Sequence, residues 1–83
     1  MIVRSPELGR LYTGATAKTV ILAIDRRVRI YSDAAVDLSA DPSGSGISTA
    51  KALDGWPLAP NTQGPVYVHV PDGVNVVLGP WSL

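Results

Sequence analysis

Apolar and polar residues alternate along several short segments of this chain, and no segment of helix length has the period of an amphipathic helix. The alternation runs through residues 28–31, 36–39, 66–70 and 74–78. A period of two is the signature of a strand with one face in a core. The more continuously apolar stretch KTVILAI at 18–24 predicts a strand that is covered on both faces. Short, evenly spaced strands predict an all-β protein, either a small antiparallel β-sandwich or a related barrel.

Turn-forming residues separate these segments. The sequence Pro71-Asp72-Gly73 lies between two alternating segments and predicts a type I turn with a glycine bulge, and therefore a tight antiparallel hairpin. Residues 24–28 predict a second hairpin turn. The sequence DPSGSG at 41–46 predicts a loop, and residues 56–65, with three prolines, predict irregular structure. Residues 47–54 fit either a short helix or a strand.

The small size of the chain makes its stability marginal. Its 83 residues are enough for one domain. Surface scaling gives about 4,700 Å² of folded surface against roughly 12,600 Å² for the unfolded chain. Burial then contributes about 120 kcal/mol, and ordering the chain costs about 125 kcal/mol. Because these numbers nearly cancel and the chain has no cysteine for a disulfide, a partner subunit is the expected source of further stability.

Charge is divided unevenly although the net charge is zero. Residues 1–30 hold six basic and two acidic side chains, a net +4, and residues 31–83 hold one basic and five acidic side chains, a net −4. Such a chain can pair with a copy of itself or with a charged platform, unless the fold mixes the charges in space. Residues 1–10 have no clear period and predict a flexible N-terminal arm. Its removal is expected to weaken docking more than folding, and residues 11–83 form the predicted β domain.

No set of residues predicts an active site or a metal site. His69 is the only histidine, lies in the middle of a predicted strand, and is interpreted as a strand or interface residue rather than a general base. Asp33, Asp37 and Asp41 recur every four residues, but a calcium loop needs denser oxygen ligands and a bidentate acid. The glycine-rich residues 41–46 lack the lysine and the helix of a phosphate loop. We therefore expect no catalytic residue, no metal and no cofactor.

Nucleic acid and membrane partners are also not expected. Arg26, Arg27 and Arg29 beside Tyr31 could form a base-stacking patch of the barrel type. Zero net charge argues against it, since nucleic-acid modules are usually basic, and a solvated hairpin tip is the favoured interpretation. The longest apolar stretch, residues 20–24, is too short to cross a bilayer.

Aromatic and basic residues outside the predicted core are the candidates for an interface. Aromatic side chains dominate the hot spots of protein interfaces. The same side chains could cover the ends of a sandwich or form a platform for a sugar. The interface candidates are Arg4, Arg10, Tyr31, Trp56, Tyr67, His69 and Trp81.

The pattern of segments between residues 17 and 79 resembles small virion accessory proteins of phages, of the head-decoration type. A strand at 27–32 is followed by a Ser/Gly loop and by the sequence GWPLAP at 55–60. The sequence Val-Tyr-Val at 66–68, a tight turn and a final strand at 74–78 complete the pattern. No functional residue carries over, because this group has no catalytic motif.

The resemblance implies a non-enzymatic structural virion protein, a capsid decoration or stabilising subunit built as a β-sandwich. Its partners would be copies of itself, with a trimer as the implied oligomer, and the major capsid protein or another virion protein. Its location would be the capsid surface after synthesis in the host cytoplasm. Two alternatives stay open: a carbohydrate-binding or adhesin-like β-sandwich, and a small nucleic-acid-binding barrel.

Overall fold

The computed structural model describes residues 2–15, 20–41, 48–50, 54–60 and 64–81. Within these ranges the chain has no helix, and its strands are β1 (Ile2–Arg4), β2 (Leu11–Thr13), β3 (Val20–Ile24), β4 (Val28–Ser32), β5 (Val36–Ser39), β6 (Ser48–Ala50), β7 (Trp56–Leu58), β8 (Val66–Val70) and β9 (Asn75–Pro80). A five-stranded sheet has the order β1-β3-β8-β5-β6, and a four-stranded sheet has the order β2-β9-β4-β7. Neighbouring strands are antiparallel, except that β1 is parallel to β3. The predicted all-β sandwich class is confirmed.

The core consists of aliphatic side chains of both sheets. Leu22, Ile30 and Val68 have no exposed surface. Burial alternates along β4 and along most of β9, as a period of two predicts. Every residue of β3 is buried, which confirms the prediction of a fully covered strand for residues 20–24, while residues 18 and 19 lie outside the described ranges. The folded surface is 4733 Å², in agreement with the value expected from the chain mass.

The chain changes sheet at almost every connection. Among the described strands, β5 and β6 are the one consecutive pair that lies in the same sheet. Both predicted hairpins are therefore wrong. β3 and β4, joined by residues 25–27, belong to different sheets, and so do β8 and β9, joined by residues 71–74. These tight connections link the two layers of the sandwich instead of two neighbours of one sheet.

The turn between β8 and β9 has the predicted positive φ at Gly73, but it is not the predicted type I turn, because Pro71 is its first residue and not its second. The Val74 N–H donates to the Pro71 carbonyl over 3.1 Å, and Gly73 has a φ of 78°. A positive φ at the third turn residue is typical of a type II turn, where glycine is favoured. Gly14, just after β2, packs against this turn and donates to the Val74 carbonyl over 3.0 Å. The turn thus joins the two layers and also holds the end of β2.

The segment predicted as an arm contributes a strand to the sheet. Ile2–Arg4 pairs in parallel with residues 21–23 of β3. Pro6 is buried, and its carbonyl accepts a hydrogen bond of 2.7 Å from Nη2 of Arg26. The prediction of a flexible arm at residues 1–10 is corrected for the described residues 2–10. Strand pairing at a sheet edge satisfies backbone N–H and C=O groups, and the side-chain period of the sequence does not show it.

Two further segments differ from or refine the sequence predictions. Trp56–Leu58 forms β7 and pairs with β4, so the prediction of irregular structure is wrong for these residues. Pro57 is tolerated there because β7 is an edge strand. For residues 47–54 the sequence left helix and strand as alternatives. Within them, Ser48–Ala50 is a strand that pairs with β5. Most of the predicted loop, residues 42–46, lies outside the described ranges.

Candidate functional site on the outer face of the four-stranded sheet

The residues of β4 and β9 that face away from the core form a continuous surface on the four-stranded sheet. Even-numbered residues are buried from Val28 to Ser32 and from Asn75 to Leu78, so the odd-numbered residues point outward. We define the outer ladder as the odd-numbered residues of β4 and β9 together with residues 27 and 33, which flank β4, and residue 81, which follows β9. It consists of Arg27, Arg29, Tyr31, Asp33, Asn75, Val77, Gly79 and Trp81.

One end of the outer ladder is basic. Nε of Arg29 donates to the Trp81 carbonyl, and Nη1 donates to the Gly55 carbonyl, each over 2.9 Å. The guanidinium carbon of Arg27 lies 5.6 Å from the centre of the Trp81 ring, within the range of a cation–π contact. Among the described residues, these partners are carbonyl oxygens and an aromatic ring rather than carboxylates. Both arginines are thereby held in place, with their positive charge at this end of the outer ladder.

The centre of the outer ladder is apolar. Tyr31 lies opposite Val77, and Val77 lies opposite Leu11 of β2. Leu11 is 60% exposed, the largest exposure among the large hydrophobic side chains of the described residues. Together with Asp33 and Asn75, these side chains border a shallow depression of about 210 Å³. An exposed apolar centre with fixed polar neighbours is the usual composition of a binding surface.

The Tyr31 ring is fixed because two glycines flank it. A β-carbon on Gly79 would lie 2.8 Å from Cε2 of Tyr31, and one on Gly55 would lie 3.0 Å from Cε1. Gly79 is on β9 and Gly55 immediately precedes β7, so the ring lies across both neighbours of β4. A side chain at residue 79 would force the ring to shift, and one at residue 55 would crowd it. The ring therefore packs against the backbone at both glycines.

The other end of the outer ladder is acidic. Asp33 accepts two hydrogen bonds from Asn75, one from its backbone N–H over 2.8 Å and one from its side-chain amide over 2.6 Å. The backbone hydrogen bond and then the side-chain hydrogen bond from Asn75 hold the pKa of Asp33 below its ordinary value. Thr13 donates to Oδ1 of Asn75 over 2.8 Å, which fixes the amide orientation. A negative charge thus lies at this end of the face.

This arrangement corrects the sequence interpretation of the arginine cluster. Arg26, Arg27 and Arg29 were expected at a solvated hairpin tip, but β3 and β4 do not form a hairpin and Arg29 lies within β4. Arg26 points elsewhere, to the Pro6 carbonyl. The odd-numbered spacing of Arg27, Arg29, Tyr31 and Asp33 could have placed all four residues on one strand face. Their neighbours on β9 could not have been found, because the pairing of β4 with β9 is not visible in the sequence.

A second group of interface candidates lies on the outer face of the five-stranded sheet. Arg4, Tyr67 and His69 all point away from the core. His69 lies between Ile21 of β3 and Asp37 of β5 in the strand register. These residues are on the opposite surface of the sandwich from the outer ladder, so the structure does not bring the two groups together.

His69 lies within hydrogen-bond distance of Ser39. Nε2 of His69 lies 2.6 Å from Oγ of Ser39, and the same hydroxyl donates to the Asp41 carbonyl. A carbonyl can only accept, so a Ser39 proton directed at Asp41 leaves the hydroxyl oxygen to accept from a proton on Nε2 of His69. A nucleophilic serine needs the reverse direction, with the histidine as acceptor. In the described part of the chain, no three His, Asp or Glu side chains are grouped to hold a metal ion.

The remaining interface candidates lie at sheet edges. The guanidinium of Arg10 is 5.8 Å from the Tyr12 ring beside edge strand β2. Trp56 is on edge strand β7, is half-buried and packs against the core. Of the seven candidates, the outer ladder contains only Tyr31 and Trp81.

Comparisons with protein-family models, with curated proteins and with solved structures give no match. The described residues include no helix long and apolar enough to span a bilayer.

Proposed function

We propose that this chain is a non-enzymatic structural subunit that binds protein through the outer face of its four-stranded sheet. We further propose that it serves as a capsid decoration or stabilising subunit of a virion. The observation that carries the first proposal is the outer ladder, an apolar centre between a basic and an acidic end. The second proposal is supported by the sequence resemblance over residues 17–79.

The composition of the face favours a protein partner. Tyrosine, tryptophan and arginine are enriched at the centres of protein interfaces, and the outer ladder has all three types. Burying Leu11, which is 60% exposed, would remove apolar surface from water. A chain with marginal stability of its own also benefits from association, because binding to the folded form stabilises it by mass action.

The rigidity of the face supports binding without a large ordering cost. Arg29 is held by two carbonyl oxygens, and the Tyr31 ring is held between two glycines. Side chains that are already fixed lose little conformational entropy when a partner binds. A fixed face of this kind suits a subunit that binds one defined partner surface.

The two alternatives make different demands on the same face. A sugar platform needs an aromatic ring that is open to solvent. Trp81, at 36%, is the most exposed of the aromatic interface candidates. A nucleic-acid surface needs positive charge along its whole length, whereas Asp33 places a negative charge at one end. The charge pattern therefore favours a protein partner over a nucleic acid.

The test of the virion proposal is quantitative mass spectrometry of purified virus particles from a host that expresses the gene. We expect the chain in many copies per particle, and we expect fewer copies when Leu11→Ser and Tyr31→Ala are introduced. The matched control is Arg4→Glu on the opposite face, which should be incorporated normally. Absence from particles, with binding to a glycan array or to single-stranded DNA at physiological salt, would overturn the proposal in favour of one of the alternatives.

A further inference from the structure

We infer that the outer ladder binds a second copy of itself, as a two-fold symmetric dimer in which the β4 strands of the two subunits run antiparallel. This inference rests on the proposed function, in that the same face is taken to bind protein. It goes further by naming the partner and the residue pairs that hold it.

The charge pattern of β4 is complementary to itself after a half-turn. Arg27 and Arg29 lie at one end and Asp33 at the other, about 13 Å from Arg29 at ~3.3 Å per residue. A two-fold axis at the level of Ile30 exchanges these ends. It places Arg27 over Asp33 of the partner subunit and makes the reciprocal contact at the same time. One symmetric contact therefore satisfies both charged ends.

The centre of the face is compatible with the same axis. Arg29 then lies over Tyr31 of the partner subunit, where its guanidinium can contact a ring face. Leu11 and Val77 flank this centre and contribute apolar surface that is exposed or half-buried in the single chain. Charged pairs at the ends and apolar surface at the centre set the register of the two subunits.

A second copy fits this face better than a uniformly charged platform. A basic platform would repel the arginine end, and an acidic platform would repel Asp33. Two copies of this chain have no long-range repulsion to overcome, because the net charge of each is zero. The isologous contact is also closed, so it does not grow into a filament.

The size of the face sets the expected affinity. Four strands at ~4.8 Å spacing and about six residues at ~3.3 Å give a footprint of roughly 400 Å² per subunit. This is below the ~800 Å² per partner of a standard stable interface. We therefore expect a reversible dimer with a dissociation constant in the micromolar range, which dense packing on a larger assembly would populate.

The test is charge exchange between two variants, followed by sedimentation equilibrium over a range of concentrations. Arg27→Glu and Asp33→Lys should each weaken the homodimer by about tenfold or more, because each places like charges opposite each other twice. An equimolar mixture of the two variants should restore dimerisation, since the mixed dimer regains both opposite-charge pairs. Arg4→Glu makes the same charge change as Arg27→Glu, but on the other sheet, and this variant should dimerise like the unmodified chain.

A distance measurement keeps the test independent of how well the Asp33 variant folds. The chain has no cysteine, so a single spin label can be placed through Val77→Cys or through Arg4→Cys. The dimer should give a short intersubunit distance for the label at residue 77 and a much longer one at residue 4. Unchanged dimerisation in both charge variants, a mixture that fails to dimerise, or the reverse order of the distances would overturn the inference.

The outcome separates this inference from the proposed function. A chain that is incorporated into particles but stays monomeric would overturn the dimer alone. A chain that dimerises as described but is missing from particles would overturn the virion assignment alone.

Discussion

The ring of Tyr31 lies over the backbone of Gly79, its diagonal neighbour on β9, so closely that a β-carbon there would stand 2.8 Å from Cε2. Gly55 limits the ring on its other side. This relationship fixes the centre of the outer ladder, and it makes the glycine at 79 part of the candidate site although it has no side chain.

Gly79→Ala should lower the free energy of unfolding by about 1–3 kcal/mol, because the new methyl group overpacks against the ring. Chemical denaturation measures the loss. The control is the same substitution in a Tyr31→Ala background, where the obstructing ring is absent and the additional loss should largely disappear. Equal losses in the two backgrounds would mean that the ring does not lie over Gly79.

Gly14→Ala should destabilise the protein by about 3 kcal/mol or more, because its β-carbon would overlap the backbone carbonyl of Pro71. Neither backbone segment can move without loss of the hydrogen bond from Gly14 to Val74. Thermal unfolding followed by circular dichroism measures the effect.

Gly73→Ala in the same turn is the matched comparison. Nothing lies within 4 Å of its β-carbon, so only the left-handed conformation is penalised, at about 1–2 kcal/mol. A larger loss for Gly73→Ala than for Gly14→Ala would contradict the close approach of β2 to the turn.

Asp33 should titrate below its ordinary pKa of 3.8 because it accepts hydrogen bonds from Asn75. A lowered pKa in the folded state means that this carboxylate stabilises the fold above the unfolded-state pKa, and that the contribution is lost as pH falls below about 4. Carboxyl chemical shifts followed by NMR report the titration.

Asn75→Ala should raise the pKa of Asp33 only part of the way toward its ordinary value, because it removes the side-chain hydrogen bond and keeps the one from the backbone N–H of residue 75. Thr13→Val removes the bond from Thr13 to Asn75 and leaves the two bonds to Asp33 in place, so it should change the pKa less. An equal rise in both variants would show that the side-chain amide of Asn75 does not lower the pKa of Asp33.

Ser39→Ala should cost about 1–3 kcal/mol, because it removes the common partner of the His69 ring and the Asp41 carbonyl. Ser32→Ala is the comparison, since its buried hydroxyl makes one described hydrogen bond, to the Ala34 carbonyl, and should cost less. Nitrogen NMR of the unmodified protein should find the proton on Nε2 of His69. A proton on Nδ1 alone would contradict the direction of the Ser39 contact.

Deletion of residues 1–10 should lower the melting temperature, because it removes β1 and exposes the edge of β3 that β1 covers, while the other edge of β3 stays paired with β8. Ile2→Ser is the control, since its side chain is 37% exposed and the backbone pairing stays intact. If the truncated chain melts like the full chain and only loses binding, residues 1–10 act as the docking arm that their lack of a period predicts.

Local alternation by itself determined the class of the fold and the orientation of most side chains. The predicted inward residues of β4, such as Val28 and Ile30, are buried, and the residues between them face outward. That result needs only the period of the strand, since consecutive side chains point to opposite faces. It also placed Arg29 and Tyr31 on a common outer face before any neighbour was known.

The tertiary structure alone decided which sheet each strand joins. The turn at residues 71–74 has the predicted glycine conformation, yet it passes from one sheet to the other. A tight turn fixes a few dihedral angles, whereas strand partners are chosen by backbone pairing and core packing between residues far apart in sequence. Arg29 meets Trp81, 52 positions away, for this reason. The outer ladder exists only once β4 and β9 are paired.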